Sequence, residues 1–393
     1  MNILFLGPVC PTEKIEYIKH ISSYFDYPAN VLELALIDGF DLYANVTIIS
    51  SLRMKTKRVF IPQIKFCHNK NKKSNDIILS YIKIPYFEKV FNAGRKYRHF
   101  IKCGMKPDVI FVYSTRLDDI MAAYFIKKKY PKAKVISMVT DLPQFMRGDS
   151  SSIYKLFKVF ERKRTYKYME GCVDGFILLS DYMREHLPIG ATPYLVIEGI
   201  FYPEKNVSEI EQEKEYKIIL YTGSLDARYG IKDLIDAFLL TSNYDYRLYL
   251  CGTGDTIEYI KRASASDARI KYLGVLPREE VIKLQKQATL LVNPRHSFEE
   301  YTKYSFPSKT MEYMASGTPT LMSPILSLPE DYKKHIYLFE DESIKGMSRT
   351  ISEICSQDPK ELRYFGLSAQ KFILNNKVAD IQCKKIIEFI TNI

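Results

Sequence analysis

Residues Thr289-Leu290-Leu291-Val292 lead into Asn293-Pro294-Arg295. A little further on comes Glu299-Glu300-Tyr301-Thr302-Lys303-Tyr304-Ser305-Phe306-Pro307-Ser308-Lys309-Thr310-Met311-Glu312-Tyr313-Met314-Ala315-Ser316-Gly317-Thr318-Pro319-Thr320. The apolar tetrad 289–292 predicts a buried strand. The spacing after it predicts a helix over 307–316, with Ser305 or the Phe306 backbone as its cap and Pro307 in its first turn. Gly317 ends that helix, and Pro319 opens the strand region 318–322. Strand, loop, helix and strand in this order form the repeating unit of a parallel sheet.

The same pattern extends outward through the chain. In the second half it predicts strands at 217–221, 247–251, 270–273, 289–292, 318–322 and 336–339. Helices are expected near 231–240, 255–263, 278–287, 307–316, 344–355, 359–375 and 379–391. In the first half strands are predicted at 3–7, 46–50, 109–113, 135–139, 176–179 and 194–197. A helix follows Asp118, another spans about 153–169, and a short one follows Ser180. The region 51–106 breaks the pattern with β-like pieces at 59–61 and 82–84 and a helix near 88–101. Continuous apolar strands alternating with helices imply parallel sheets covered on both faces. The fold class is therefore α/β, as two doubly wound domains with a ligand expected beyond the strands' carboxyl ends, in a cleft between them. The expected organisation is a domain over 1–200, a linker over 201–215, a second domain over 216–375 and a helix over 376–393 that crosses back to the first.

A chain of 393 residues with 46% hydrophobic and 26% charged residues is neither disordered nor fibrous. No apolar run is long enough to span a membrane. The N-terminal Met1–Gly7 lacks a basic leader and reads as a strand. Seven scattered cysteines without a C-x-x-C pair suit reduced thiols and argue against a disulfide framework or a zinc site. Net charge is +11, and it is unevenly placed. Residues 51–106 hold 15 Lys and Arg against two acids, Asp76 and Glu88. Such a block attracts polyanions such as lipid head groups or phosphorylated substrates, although it also suits a solvated surface. No nucleic-acid-binding signature accompanies it, so nucleic acid is not an expected partner.

Three stretches carry chemistry. In Tyr221-Thr222-Gly223-Ser224-Leu225-Asp226-Ala227-Arg228-Tyr229-Gly230, a strand meets a Gly turn and a helix start. Gly223 lets a ligand approach the backbone, the helix N-terminus favours a phosphate, and Arg228 can add a bidentate contact. Taken alone, this is equally a plain strand-to-helix turn. Leu250-Cys251-Gly252-Thr253-Gly254 closes a strand with two glycines, a weak signal by itself. In the 299–320 stretch, Ser308 and Lys309 at the helix start can meet a diphosphate. Glu312, four positions after Ser308 and on its face, can accept two hydroxyl hydrogen bonds from a ribose or sugar.

Together and in this order these residues resemble the nucleotide-sugar glycosyltransferases of the GT-B fold. In particular they are similar to glycosyltransferase family 4, the "group 1" transferases, in its bacterial polysaccharide-assembly members. The resemblance is clearest over about 215–325. Leu250–Gly254, Ile270-Lys271-Tyr272-Leu273-Gly274 and Met314-Ala315-Ser316-Gly317-Thr318-Pro319 carry it. It implies two Rossmann-like domains, a nucleoside-diphosphate sugar donor, retention at the anomeric carbon, and neither a metal nor another cofactor. The donor site it implies comprises Gly7, Gly223, Ser224, Arg228, Gly252, Glu300, Tyr304, Ser305, Phe306, Pro307, Ser308, Lys309 and Glu312. The catalytic groups it implies are Arg228 and Lys309 on the leaving diphosphate and Asp141, in Val139-Thr140-Asp141-Leu142-Pro143, near the anomeric carbon or the acceptor. The sequence departs from the family where Tyr304 replaces the first of its two glutamates, leaving Glu299 or Glu300 as the substitute. Ser224 and Tyr229 stand where the family has Arg and Lys. His186 and His296 read as structural or exposed.

The resemblance further implies a glycan or polyprenyl-diphosphate-linked acceptor bound by the first domain, in capsule or exopolysaccharide assembly. Around 88–101, Phe87, Val90, Phe91 and Gly94 recur on one face, while Lys89, Arg95, Lys96 and Arg98 can turn outward. A basic rim around an apolar face suits a helix lying on an anionic leaflet. The expected location is therefore cytoplasmic, held peripherally on the inner face of the membrane. The alternatives are another GT-B enzyme such as a nucleotide-sugar epimerase, or an inactive protein that binds nucleotide sugars or polyanions.

Overall fold

The structure is a computed structural model of the whole chain. It describes residues 1–82, 87–142, 152–203 and 216–393, with side chains in the helix from Ser152 described from 157 on. The linker's charged run 204–215, Tyr86, Pro143 and the second half of the β-like piece 82–84 lie outside the described residues.

The chain divides into two units, Met1–Tyr202 with Ala379–Ile393, and Pro203–Val378. In the first, the strands are β1 (Asn2–Gly7), β2 (Asn45–Ser50), β3 (Phe60–Ile61), β4 (Ile64–Phe66), β5 (Asp76–Ile78), β6 (Tyr81–Ile82), β7 (Val109–Tyr113), β8 (Lys134–Val139), β9 (Gly175–Leu178) and β10 (Tyr194–Val196). They form an eight-stranded sheet in the order β10-β9-β8-β7-β1-β2-β5-β4, and β3 and β6 pair separately. The large sheet is parallel except at its β4 edge, where β4 runs antiparallel to β5. The helices are α1 (Ile15–Ile21), α2 (Tyr27–Asp41), α3 (Glu88–Cys103), α4 (Leu117–Lys129) and α5 (Ser152–Glu170). β1 and β7 are buried because both faces are covered, which is why they read as unbroken apolar runs.

The second unit is a six-stranded parallel sheet in the order β13-β12-β11-β14-β15-β16. Its strands are β11 (Lys217–Ser224), β12 (Tyr246–Thr253), β13 (Ile270–Gly274), β14 (Leu290–Asn293), β15 (Thr320–Met322) and β16 (Tyr337–Leu338). Its helices are α6 (Ile231–Leu239), α7 (Ile257–Ser266), α8 (Arg278–Gln287), α9 (Ser308–Ala315), α10 (Ile344–Cys355) and α11 (Pro359–Asn376). Ile219, Leu234, Phe238, Leu248, Leu290 and Ile351 form the centre of its core. Both units are thus doubly wound, Rossmann-like α/β folds.

The last helix, α12 (Ala379–Asn392), packs on α2 of the first unit. A β-carbon at Gly39 would lie 2.4 Å from Cys383 Sγ, so only glycine lets the two helices approach this closely. Tyr43 donates to the Asp380 carbonyl at 3.2 Å, and Lys134 to that of Ile390 at 2.8 Å.

One residue of α3 departs from its sequence reading. α3 exposes Phe87, Val90 and Phe91 and buries Asn92, Ala93, Lys96 and Phe100. Lys96 was expected to turn outward. Lys96 turns inward because Asp118 and Asp119, at the start of α4, are buried there. Its ammonium bonds Asp118 at 2.7 Å and also Asp119. Arg116 completes the network with Asp118 at 2.9 Å. A buried charge needs such partners, and this pairing outweighs the apolar pattern of one helix.

Candidate functional site

β11 and β12 pair in register to their last residues, Gly223 opposite Gly252. Both have positive φ, 146° and 139°. A β-carbon at Gly252 would lie 1.8 Å from the Gly223 carbonyl oxygen, and one at Gly254 2.2 Å from the Leu225 backbone. These two glycines therefore let neighbouring chain segments touch. The Gly252 carbonyl accepts from Tyr272 Oη at 3.0 Å. Gly223 differs, for its missing β-carbon faces only the Tyr221 hydroxyl at 3.4 Å and Lys309 Cε at 3.7 Å. Ser224 is exposed beside it, its hydroxyl donating to Asp226 at 2.8 Å.

α9 starts at Ser308 with Pro307 as its N-cap, and no side chain caps it. Ser305 or Phe306 was expected in that place. Phe306 packs instead on Tyr332 with ring centres 4.9 Å apart, Pro307 is buried, and the Ser305 carbonyl accepts from Ser327 at 3.1 Å. The Phe306 and Pro307 side chains are thus taken up by packing. Ser308 is exposed at the helix start. Lys309 and Glu312, one turn apart, form an ion pair at 3.0 Å. Tyr304 is buried, with its hydroxyl 3.5 Å from a carboxylate oxygen of the exposed Glu300.

Glu312 is more committed than its sequence context shows. Arg278, the first residue of α8, donates to it at 2.6 Å, and Gln285 and Lys309 donate to its other oxygen. A carboxylate offers about four acceptor positions. Three are in use, so a grip on two hydroxyls requires one of these partners to move. Burial alone would raise the Glu312 pKa, but Lys309, Arg278 and the Gln285 amide outweigh it and hold the group below its ordinary value. Gln285 is fixed in turn by Thr222 at 3.0 Å, and Tyr313 donates to the Thr222 carbonyl at 2.9 Å. Arg278 and Gln285 escaped the sequence reading because both lie at least 27 positions from Glu312. The one signal for Arg278 was its place at a helix start after Pro277.

Arg228 stacks on Tyr301 at 4.3 Å and Tyr229 at 5.1 Å, and Arg295 on Tyr229 at 4.2 Å. The Nε atoms of both arginines are buried without a hydrogen-bond partner. His296, next in sequence, is held between Asp233 and Glu342 (the latter at 3.2 Å) and lies parallel to the Phe298 ring. Hydrogen bonding to Glu342 and Asp233 outweighs burial and raises its pKa. It is a structural ion pair.

In the first unit, Gly7 ends β1 and Asp141 follows β8. The space a Gly7 side chain would take is filled by Glu33, whose Oε1 is 2.8 Å from that β-carbon position. Gly7 thus accommodates a carboxyl of its own unit, not the backbone approach to phosphate that was expected. Glu33 is 1% exposed and its Oε1 has no partner. Burial, only partly offset by Arg116, pushes its pKa well above the usual value. Asp141 is exposed at the sheet's carboxyl edge. The protein mass around it and the Asp26 carboxylate, opposed by Arg53, push its pKa up to about 6.

The comparisons with known proteins agree with this geometry. Residues 203–372 match the family described as "Glycosyl transferases group 1". The second unit thus carries a group 1 glycosyltransferase domain. Among solved structures, the sucrose-phosphate synthase of Thermosynechococcus elongatus is similar over 100% of this chain and 99% of its own, with a TM-score of 0.67 and 15% identity. The lipopolysaccharide outer core galactosyltransferase WaaB gives 0.62 and 16% over 100% and 99%. HepE of Anabaena, solved in complex with UDP, gives 0.65 and 13% over the whole of both chains. These likenesses bear out the fold, two Rossmann-like α/β units in one chain. No curated protein matches the sequence.

Proposed function

We propose that the protein transfers a sugar, with retention, from a nucleoside-diphosphate donor to a hydroxyl of a glycan acceptor. The observation that carries this reading is the cluster of Lys309, Glu312 and Arg278 at the start of α9, beside the open α-carbon of Gly223, within the group 1 domain. A helix N-terminus and a lysine can hold a diphosphate, and a fixed carboxylate can hold a ribose hydroxyl. In the reaction the bond from the anomeric carbon to the diphosphate oxygen breaks and one to the acceptor oxygen forms. The acceptor proton passes to the departing phosphate. Arg228 and Lys309, with the α9 amides, stabilise the charge that develops on that leaving group. This scheme calls for neither a metal nor a histidine base. Asp141, with its raised pKa, serves the acceptor side in the first unit.

The donor reading is tested by thermal shift and calorimetry with UDP, GDP and their sugars. Micromolar binding of one nucleoside diphosphate is expected, and binding of none would overturn it.

The acceptor is proposed to be lipid-linked, at an anionic membrane surface, in surface polysaccharide assembly. Supporting this, Phe87, Val90 and Phe91 of the α3 region and Val159 and Phe160 of α5 are exposed. An ion pair of Lys89 with Glu161 ties the two helices together. Val59 and Phe60 of the same basic segment are exposed as well. Among the described residues no helix is long and apolar enough to cross a membrane. Attachment would be peripheral and would weaken as salt rises.

A further inference from the structure

The loops after β11 and β14 place two guanidinium groups on the same aromatic wall. Tyr229 and Tyr301 meet at 6.2 Å, edge to face. Arg295 lies on Tyr229, while Arg228 lies against both rings. Among the described residues neither arginine has a carboxylate partner, and the Nε of each is buried with no acceptor. Glu299 and Glu300, in the loop after β14, form no ion pair with either arginine, and Glu300 is exposed near the Tyr304 hydroxyl. Two other nearby acids bond the chain itself. Asp255 accepts the Ala227 N–H at 2.7 Å, and Asp226 accepts the Ser224 hydroxyl at 2.8 Å and the Asp255 N–H at 3.3 Å. Asp233 and Glu342 are occupied by His296.

Proximity orders the groups along the sheet edge. Glu312 holds Lys309, Lys309 reaches Gly223, and Gly223 abuts Tyr221. Beyond Tyr221 come Arg295, Tyr229, Arg228 and Tyr301. With a ribose at Glu312 and the diphosphate at Lys309 and Gly223, the aromatic wall lies where the sugar extends. A diphosphate ester carries two negative charges. Arg278, Lys309 and Glu312 sum to one positive charge, and Arg228 supplies the second. Arg295 is then in excess of what a neutral sugar needs. A guanidinium stacked by its face keeps its edge free, and that edge fits a planar carboxylate with two parallel hydrogen bonds.

We propose that Arg295 binds a carboxylate on the donor sugar, so that the protein uses an acidic, uronic-type nucleotide sugar. This rests on the nucleotide-sugar reading above and names its substrate class.

The test is calorimetry on the full chain with UDP, UDP-glucose and UDP-glucuronic acid, and in parallel with GDP, GDP-mannose and GDP-mannuronic acid. In one series the uronic sugar should bind about tenfold or more tighter than its neutral counterpart. Arg295→Gln should remove that preference while leaving affinity for the bare nucleotide within about twofold. Arg295→Lys, which keeps the charge and loses the fork, should retain only part of the preference. Retained nucleotide affinity also reports that the variants are folded. Equal binding of uronic and neutral sugars by the unmodified protein would overturn the proposal and leave the donor reading standing. Equal weakening of nucleotide and both sugars by Arg295→Gln would instead put Arg295 on the diphosphate, and the proposal would fall. Binding of no nucleotide at all would be a failure of the donor reading, which takes the proposal with it.

Discussion

In the first unit Lys96, Arg116, Asp118 and Asp119 neutralise one another out of contact with water, at the start of α4 beyond β7. In the second unit the equivalent sheet edge leaves Arg228 and Arg295 without carboxylate partners among the described residues, and the cluster around Glu312 is partly open, with Arg278 36% and Lys309 32% exposed. The two sheets share a topology and use charge differently. Where charges close on themselves they fix the packing of helices. Where cations remain in surplus at strand ends, they are available to an anion.

Breaking the closed network should give the largest effect. Lys96→Met leaves two buried carboxylates sharing the single cation of Arg116 and should cost about 3–5 kcal/mol of stability, read as a lower urea midpoint. Arg278→Ala in the open cluster should cost less than about 1 kcal/mol. If the two losses are equal, the contrast between the units is wrong.

Next in size is the loss of a cation on the proposed leaving group. Arg228→Ala should cost about 2–4 kcal/mol in the transition state, measured as a fall in kcat at saturating donor. A variant with full kcat would take Arg228 out of the phosphate site.

Glu312→Gln sharpens the comparison from the other side. Its amide keeps the shape but returns less to Arg278 and Lys309. Melting should change little, and donor affinity should drop about tenfold. Unchanged affinity and turnover would show that Glu312 only organises its neighbours.

The smallest effect concerns the one group in the first unit that is not balanced. Glu33 has a raised pKa in the fold, so the folded state keeps its proton at pH values where the unfolded chain has released it. Its contribution to stability is complete below the ordinary carboxylate pKa and is lost as pH rises toward the raised value. Glu33→Gln should therefore flatten the stability of the protein against pH above about 4.5. Parallel curves for parent and variant would mean that the carboxyl is already ionised.

Strands were the most legible part of the sequence, because burial on both faces leaves unbroken apolar runs such as Val109–Tyr113. The site was legible where it is local. Lys309 and Glu312 share one helix face, and Gly223 ends a strand. What escaped notice depends on distant partners. The inward turn of Lys96 is set by acids more than twenty residues away, and Glu312 is held by residues of α8. At Gly7 and Gly252 the space a side chain would take belongs to Glu33 and to the Gly223 carbonyl. A glycine reports that something comes close, and its identity is a tertiary fact.

The return of α12 to α2 gives the chain an order of completion during synthesis. Its first unit is discontinuous, beginning at Met1 and ending with Ala379–Ile393, while the second is a continuous segment between them. As the polypeptide emerges, residues 203–378 can be complete while α2 still lacks the helix that covers Gly39 and Leu36. Domains fold as units during translation. The later unit in sequence can therefore mature first, and the unit that precedes it is sealed only by a segment made after both.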